Sequence, residues 1–404
     1  MYLAHLSLTN FRNFARLDLD VPRRAVLLVG NNAQGKTSVL EAIYFLATFS
    51  SFQTHTDRQM VNFVATGDPS KLAVARIVAD FVRQGRFHRI EARIIIEPVG
   101  LQNGQRARKE VLLDGVKRPV GEVIGIFNAA LYVPHMSQVL EGGPEERRRT
   151  LNLSLAQIIP GYAKALSEYQ KTLEQRNALL KLLAERGGDQ AQLDFWDASL
   201  VETGAQIILW RIQAIQELEK LAKRTHLALT RGKEVLRLAY VPAFDPLSPS
   251  NGQRMLNLDV AVDRSGCDLP AIKKGFSEAL RRLRTEEISR GVTTIGPHRD
   301  DLRFLAGKVD LGNYGSRGQV RTTLLSLKLA EVAWMKEKTG EWPIVLFDEV
   351  MAELDGERRA DLLTALSAPD QALLTTTDAH FFTPEFLQVS TLWHVQSGTV
   401  TINS

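Results

Sequence analysis

One cysteine, Cys267, in 404 residues leaves no partner for a disulfide within the chain and fits a reducing, cytoplasmic setting. Apolar runs of about 18 residues are missing too, which excludes a hydrophobic membrane-spanning helix. The start, Met1-Tyr2-Leu3-Ala4-His5, lacks the basic-then-apolar form of a secretory leader. Neither sign of charge prevails: 50 Lys and Arg against 46 Asp and Glu leave a net charge of +4. The resulting pI, near 9.1, is compatible with a nucleic-acid partner without requiring one. Hydrophobic content of 44% with 24% charged residues is that of an ordinary soluble protein, long enough to divide into two lobes.

What is there begins with Gly30-Asn31-Asn32-Ala33-Gln34-Gly35-Lys36-Thr37, which fits the phosphate-binding loop G-x-x-x-x-G-K-[ST]. Two glycines let the backbone curl so that successive N–H groups point at phosphate oxygens. Lys36 then reaches the β- and γ-phosphates, and the Thr37 hydroxyl is placed to ligate Mg²⁺. The flanks agree: Ala25 to Val29 reads as a buried strand, and Ser38 to Leu46 continues with helical spacing. The loop thus joins a strand end to a helix N-terminus, where the dipole favours anions.

Upstream, two or three strands of a sheet edge are expected across residues 1 to 29, with Asn10-Phe11-Arg12-Asn13-Phe14 between them. Arg12 is either a partner for nucleotide phosphate or a surface turn residue. Residues 72 to 118 read as strands. The segment from Asn103 to Lys109, with Arg106 and Arg108, reads as a basic loop suited to phosphate contacts or merely solvated. Helices dominate from about 144 to 290, opened by Pro144-Glu145-Glu146. Tyr169, Leu180 and Leu183, then Leu193, Trp196, Ile207 and Trp210, mark a helical hairpin broken at Gly187-Gly188-Asp189. Its arms of about 25 to 35 residues are roughly 40 to 50 Å long. Pro242, Pro246, Pro249 and Gly252 mark an irregular loop. The following helix carries Arg281, Arg282 and Arg284, which face either DNA or solvent. His298, Arg299, Asp300 and Asp301 read as strand-end pairing in preference to a metal site.

The second decisive element is Ile344-Val345-Leu346-Phe347-Asp348-Glu349. A continuous apolar run suits a strand buried on both faces, and its acids sit at the C-terminal end, where open α/β sheets bind ligands. Asp348 is expected to hold Mg²⁺ through its water shell, and Glu349 to orient and deprotonate the attacking water. The two halves of such a site come from opposite ends of the chain, so the helical middle is an excursion. The expected architecture is an α/β ATPase head of the P-loop, ABC type, made of residues 1–140 and 291–404, with an inserted helical arm lobe at 141–290. Ser316-Arg317-Gly318-Gln319 stands where ABC-type ATPases carry their signature sequence, which completes the site of the opposite subunit. Asp355 matches the D-loop along that interface. ATP then acts between two heads, which dimerise on binding it and part after hydrolysis.

Four stretches carry a closer likeness: Asn10 to Phe14, Gly30 to Thr37, Gly296-Pro297-His298-Arg299-Asp300-Asp301, and Ser316 to Gln319. In their order and spacing the chain resembles the RecF family, ABC-type ATPases of bacterial recombinational repair. The resemblance implies an SMC-like head, slow DNA-stimulated hydrolysis of ATP, and sequence-independent binding to double-stranded and gapped or single-stranded DNA. It also implies cooperation with RecR and RecO in placing RecA on gaps, Arg12 at a nucleotide phosphate, and Ser316 at the γ-phosphate in trans. Three positions depart from the family pattern. Pro134-His135-Met136-Ser137 replaces Pro-Glu-Asp-Leu, leaving Gln138 as a Q-loop candidate. Arg317 replaces a more usual glutamine. Thr377 stands at the switch position in place of histidine, and His380 does not take that role. Three other classes compete. A transporter subunit would be shorter and need a membrane partner. An SMC-type tether requires far longer coiled coils, and a nuclease requires a clustered acidic metal motif outside the ATP site.

Overall fold

A computed structural model describes residues 1–54, 56–67, 71–99, 104–247 and 262–402. Asn103, Pro249 and Gly252 of the expected loops lie outside these ranges. The strands are β1 (Tyr2–Phe11), β2 (Phe14–Asp20), β3 (Ala25–Val29), β4 (Ala73–Arg83), β5 (Arg86–Val99), β6 (Gly104–Leu113), β7 (Val116–Arg118), β8 (Ala129–Tyr132), β9 (Leu236–Val241), β10 (Asp301–Ala306), β11 (Val309–Asp310), β12 (Ile344–Phe347), β13 (Ala372–Thr376), β14 (Thr391–Gln396) and β15 (Thr399–Ile402). The longer helices are α1 (Lys36–Thr48), α2 (Pro144–Ile158), α3 (Tyr162–Arg186), α4 (Leu193–Leu229), α5 (Leu269–Arg290), α6 (Arg317–Thr339) and α7 (Gly356–Ala365).

Two compact units result, one of residues 1–136 with 328–404 and one of residues 137–327. The second boundary differs from the expectation at 290. The reason is a strand that the helical reading did not anticipate: β9 pairs antiparallel with β10, from Leu236↔Ala306 to Val241↔Asp301, and draws the segment after α5 into the middle unit.

In the first unit, β2-β1-β4-β5-β6-β7 form an antiparallel sheet, and β15-β14-β3-β13-β12-β8 form a separate, mainly parallel sheet. Within the second sheet β14, β3, β13, β12 and β8 run parallel, and β15 returns antiparallel. Val26, Leu27 and Leu28 of β3 and all four residues of β12 are buried, as unbroken apolar runs in a parallel sheet should be. Helix α1 is apolar on almost every side: Val39, Leu40, Ile43, Phe45 and Leu46 are buried with Leu6, Leu8, Ile77 and Ile94 of the antiparallel sheet in one core. The sheet order fixes what meets at its C-terminal edge. Because β13 lies between β3 and β12, the end of the phosphate loop, the end of β13 and the acids after β12 become neighbours.

The segment expected to be a basic loop is part of β6, paired with β5 from Val99↔Gly104 to Ile90↔Leu113. Arg108 is bound to Glu97 at 2.7 Å and to Glu110, while Lys117 also meets Glu110 at 2.7 Å and Lys109 meets Asp57 at 3.1 Å. Carboxylates across the strand, along the same strand and at Asp57 therefore neutralise Arg108, Lys109 and Lys117.

The second unit is built on α3 and α4, the arms of the expected hairpin. Buried Arg176 of α3 meets Asp197 at 2.6 Å and Glu287 of α5 at 2.7 Å, tying the three helices. Arg284 of α5 is held by Asp194 and Asp197 and so belongs to this framework rather than to a free basic face. The Gly296–Asp301 stretch is structural. Buried Asp300 receives Arg211 of α4 at 2.8 Å, and Asp301 receives Arg147 of α2 at 2.7 Å. His298 donates from Nε2 to the Thr293 carbonyl at 3.2 Å, so its Nδ1 accepts from the Tyr169 hydroxyl at 2.7 Å. No group of three or more His, Cys, Asp or Glu residues able to hold a metal occurs among the described residues.

Candidate nucleotide site

Between β3 and α1 the chain turns with Ala33 at φ 62° and Gly35 at φ 114°. Two glycines here have no room for a side chain. A Cβ on Gly35 would stand 2.6 Å from Asn13 Nδ2, and one on Gly30 would stand 2.3 Å from the Val395 carbonyl oxygen. The loop is braced on both sides. Asn13 donates from Nδ2 to the Gln34 carbonyl at 2.9 Å, and the Gly398 N–H donates to the same oxygen at 3.1 Å. The Ser397 N–H donates to Gln34 Oε1 at 2.7 Å. Asn31, Asn32, Ala33, Gln34, Gly35, Lys36, Thr37 and Ser38 all line a cavity of about 470 Å³, together with Arg12, Asn13 and Glu349.

Lys36 is buried and its ammonium is fully engaged. It donates to the Gly30 carbonyl at 2.6 Å and the Asn31 carbonyl at 3.1 Å, and it pairs with Glu349 at 2.9 Å. Thr37 donates from its hydroxyl to Asp348, 2.9 and 3.1 Å from the two oxygens. Thr375 at the end of β13 donates to Asp348 Oδ1 at 2.7 Å, and its oxygen accepts the Glu349 N–H at 2.9 Å. Burial pushes the Asp348 carboxyl above its usual range. The two threonine hydroxyls pull it down, the Glu349 charge raises it, and the Lys36 charge lowers it. Glu349 sits at φ 48°, a left-handed conformation that costs an ordinary residue of order 1 kcal/mol or more and turns its carboxylate toward the phosphate loop.

Arg12 occupies the two-residue turn of the β1–β2 hairpin, between the paired Phe11 and Phe14, at φ 52°. Its guanidinium forks onto fully buried Glu41 of α1 at 2.7 and 2.6 Å and donates to the Gln59 carbonyl at 2.9 Å. Glu41 also receives the Ser51 hydroxyl. The side chain therefore lines the cavity with Nε, Nη1 and Nη2 each already donating to a partner inside the protein, a geometry the sequence pattern did not foresee. Ser316, Gly318 and Gln319 belong to the other unit, where they open α6. Gln138 lies there too, at the start of a short helical turn, Gln138–Glu141. Thr377 follows β13 directly and is exposed. His380 is exposed and bonded to Asp378 at 2.6 Å.

Sequence reasoning missed Thr375, Glu41, Asn13 and the Ser397-Gly398 turn. Each acts through partners that the fold brings up from elsewhere in the chain; Asn13 lay within the Asn10–Phe14 stretch already singled out, and the Thr375-Thr376 pair at the end of an apolar run carried a weaker local signal.

A glycine loop with its lysine and threonine at one strand end, facing an Asp-Glu pair at a neighbouring strand end, defines a P-loop ATPase head of the ABC type. Residues 2–400 match the family described as RecF/RecN/SMC N terminal domain, and the chain belongs to that family. Relatives called DNA replication and repair protein RecF are similar over their whole length. The one from Roseiflexus castenholzii is 39% identical over 406 residues, 98% of this chain and 99% of its own. The one from Bacillus subtilis is 34% identical over 401 residues, 99% and 100%. Among solved structures, the recombination mediator protein RecF with ATP, from the RecFOR pathway, aligns with a TM-score of 0.82 at 27% identity, covering 100% of this chain and 98% of the other. No helix among the described residues is long and apolar enough to cross a membrane.

Proposed function

We propose that this chain binds and slowly hydrolyses ATP as a DNA-binding protein of replication-gap processing and recombinational repair, working as a homodimer that forms on ATP. The observation that carries the reading is the Thr37–Asp348–Thr375–Glu349 junction at the edge of the parallel sheet, beside Lys36. The donor set fits the cofactor: one hydroxyl and one carboxylate side by side suit Mg²⁺, which prefers oxygen ligands and keeps several of its waters. When bound there, Mg²⁺ would neutralise charge on the β- and γ-phosphates. The loop from Gly30 to Ser38 would cradle the phosphates with its N–H groups and the α1 dipole.

The paired Lys36 and Glu349 suggest an order of events. Their charges offset each other until phosphate draws Lys36 away, and Glu349 is then free to accept a proton from the attacking water. Arg12 would add a cation at the cavity wall if phosphate competes with Glu41 for its fork. Ser316, Gly318 and Gln319 would complete the pocket of a second copy, with Asp355 along the same interface. DNA contacts would be to phosphates, since no base-reading module occurs among the described residues. Partners of the kind named for the RecFOR pathway, RecR with RecO, are proposed from kinship.

Titration with a fluorescent ATP analogue tests this reading. Lys36→Met should reduce affinity by about two orders of magnitude or more while leaving the nucleotide-free melting temperature within a few degrees, as expected when a charge-assisted phosphate contact is lost. Unchanged affinity would refute the assignment of the site.

A further inference from the structure

The turn that opens α6 is held from behind by an acid that no nucleotide contact requires. Within the middle unit, the Ser316 N–H donates to Gln319 Oε1 at 3.0 Å and the Gln319 N–H donates to Ser316 Oγ at 3.3 Å. This reciprocal cap uses the serine oxygen as an acceptor, and among the described residues no acceptor takes its hydroxyl hydrogen, which is left for an anion. The cap exists in just one orientation of the Gln319 amide, because the flipped form would set NH₂ against the Ser316 N–H. Glu234 selects that orientation: Gln319 Nε2 donates to Glu234 Oε1 at 2.9 Å, and a carboxylate only accepts.

Glu234 is itself fixed in place. It follows a turn in which Arg231 and Gly232 adopt left-handed backbone, φ 53° and 76°. Its N–H donates to Thr230 Oγ1 at 3.3 Å, and that hydroxyl donates to the His226 carbonyl at 2.7 Å. Its second oxygen lies 3.5 Å from Nε2 of His226, a buried residue in the last turn of α4. His226 Nδ1 meets Ser326 Oγ at 3.0 Å, and Ser326 donates its hydrogen to the Thr322 carbonyl at 2.7 Å. The end of α4 and the opening turns of α6 are thereby joined through one carboxylate.

We propose that Glu234 is a positioning residue for the Ser316 turn. By holding Gln319 in the capping orientation it keeps the Ser316 hydroxyl presented to the phosphate of a second copy's nucleotide. The inference rests on the ATP-dependent dimer proposed above. Without the carboxylate the Gln319 amide can flip, the cap opens, and Ser316 is released to other rotamers.

The test compares wild type, Glu234→Ala, Glu234→Gln and Ser316→Arg by sedimentation in a non-hydrolysable ATP analogue. Binding of a fluorescent ATP analogue to the dilute protomer is measured in parallel. Glu234→Ala should weaken nucleotide-dependent dimerisation about tenfold or more, the usual scale for losing a hydrogen bond to a charged group, with protomer affinity for nucleotide unchanged. Glu234→Gln, whose carbonyl oxygen still accepts from Gln319, should restore most of it. If Glu234→Ala dimerises as wild type does while Ser316→Arg fails to, the assignment of Glu234 is overturned and the dimer reading stands. If Glu234→Ala loses protomer nucleotide binding along with dimerisation, its role is general folding and the assignment is equally overturned. If Ser316→Arg also dimerises normally, the reading beneath it falls.

Discussion

Thr375 shows how much of the site depends on a single hydroxyl. Its hydrogen goes to Asp348 and its oxygen takes the Glu349 N–H, so it sets the separation between the proposed metal-binding acid and the proposed base. Thr375→Val keeps the shape and removes both bonds. Asp348 then sits buried with one donor fewer, which should cost about 1 to 3 kcal/mol in stability. ATP hydrolysis should also fall by about tenfold or more, since each 1.36 kcal/mol on the barrier is a factor of ten. Thermal melting and steady-state phosphate release measure the two effects, and wild-type values in both would remove Thr375 from the site. Glu349→Gln keeps the volume and the hydrogen-bonding reach but cannot take a proton. Hydrolysis should slow by about two orders of magnitude while ATP binding persists. Single-turnover phosphate release with a nucleotide-binding control distinguishes this from a binding defect, and normal turnover would mean that another group is the base.

Among the elements, the phosphate loop was legible because its whole argument is local: strand, glycine turn, lysine and helix lie within one contiguous stretch. Asp348 and Glu349 were legible for a similar reason, an apolar strand ending in acids. What joins them was not, because Thr375 reaches Asp348 only through the strand order β3-β13-β12, and periodicity says nothing about strand order. The basic segment around Arg108 was misread as a loop because Glu97, one of its neutralising partners, becomes a neighbour only through the pairing of β5 with β6, while Glu110 lies two residues away on the same strand. The domain boundary near 290 shifted for the same kind of reason, the pairing of β9 with β10. The Gly296–Asp301 stretch was seen as structural, and its histidine gives that role a measurable signature. Burial holds His298 down to about 4, with the Thr293 carbonyl opposing and the charges of Arg299, Arg148 and Arg176 assisting. Its folded pKa lies below its unfolded value of about 6.5, so between those limits the unfolded chain binds the extra proton. Stability should therefore decline as pH falls from about 6.5 to about 4, by roughly 3 kcal/mol from this group. Denaturant titrations of wild type and His298→Gln across that range check it. The difference between the two should flatten above pH 7, and parallel curves throughout would contradict the assignment.

For the whole molecule, the proposed assembly has two copies enclosing two nucleotides, each pocket finished by the other copy's Ser316 turn. A cavity lies beside Lys36 and Glu349 in one unit, and in the other unit the Ser316 oxygen accepts within its cap, with no acceptor for its hydrogen among the described residues. Sedimentation of wild type and Ser316→Arg, with and without a saturating non-hydrolysable ATP analogue, tests this assembly. Wild type should move from monomer to dimer only when the analogue is present, and Ser316→Arg should remain monomeric while still binding it. Equal self-association of both proteins, or dimers indifferent to nucleotide, would contradict the account.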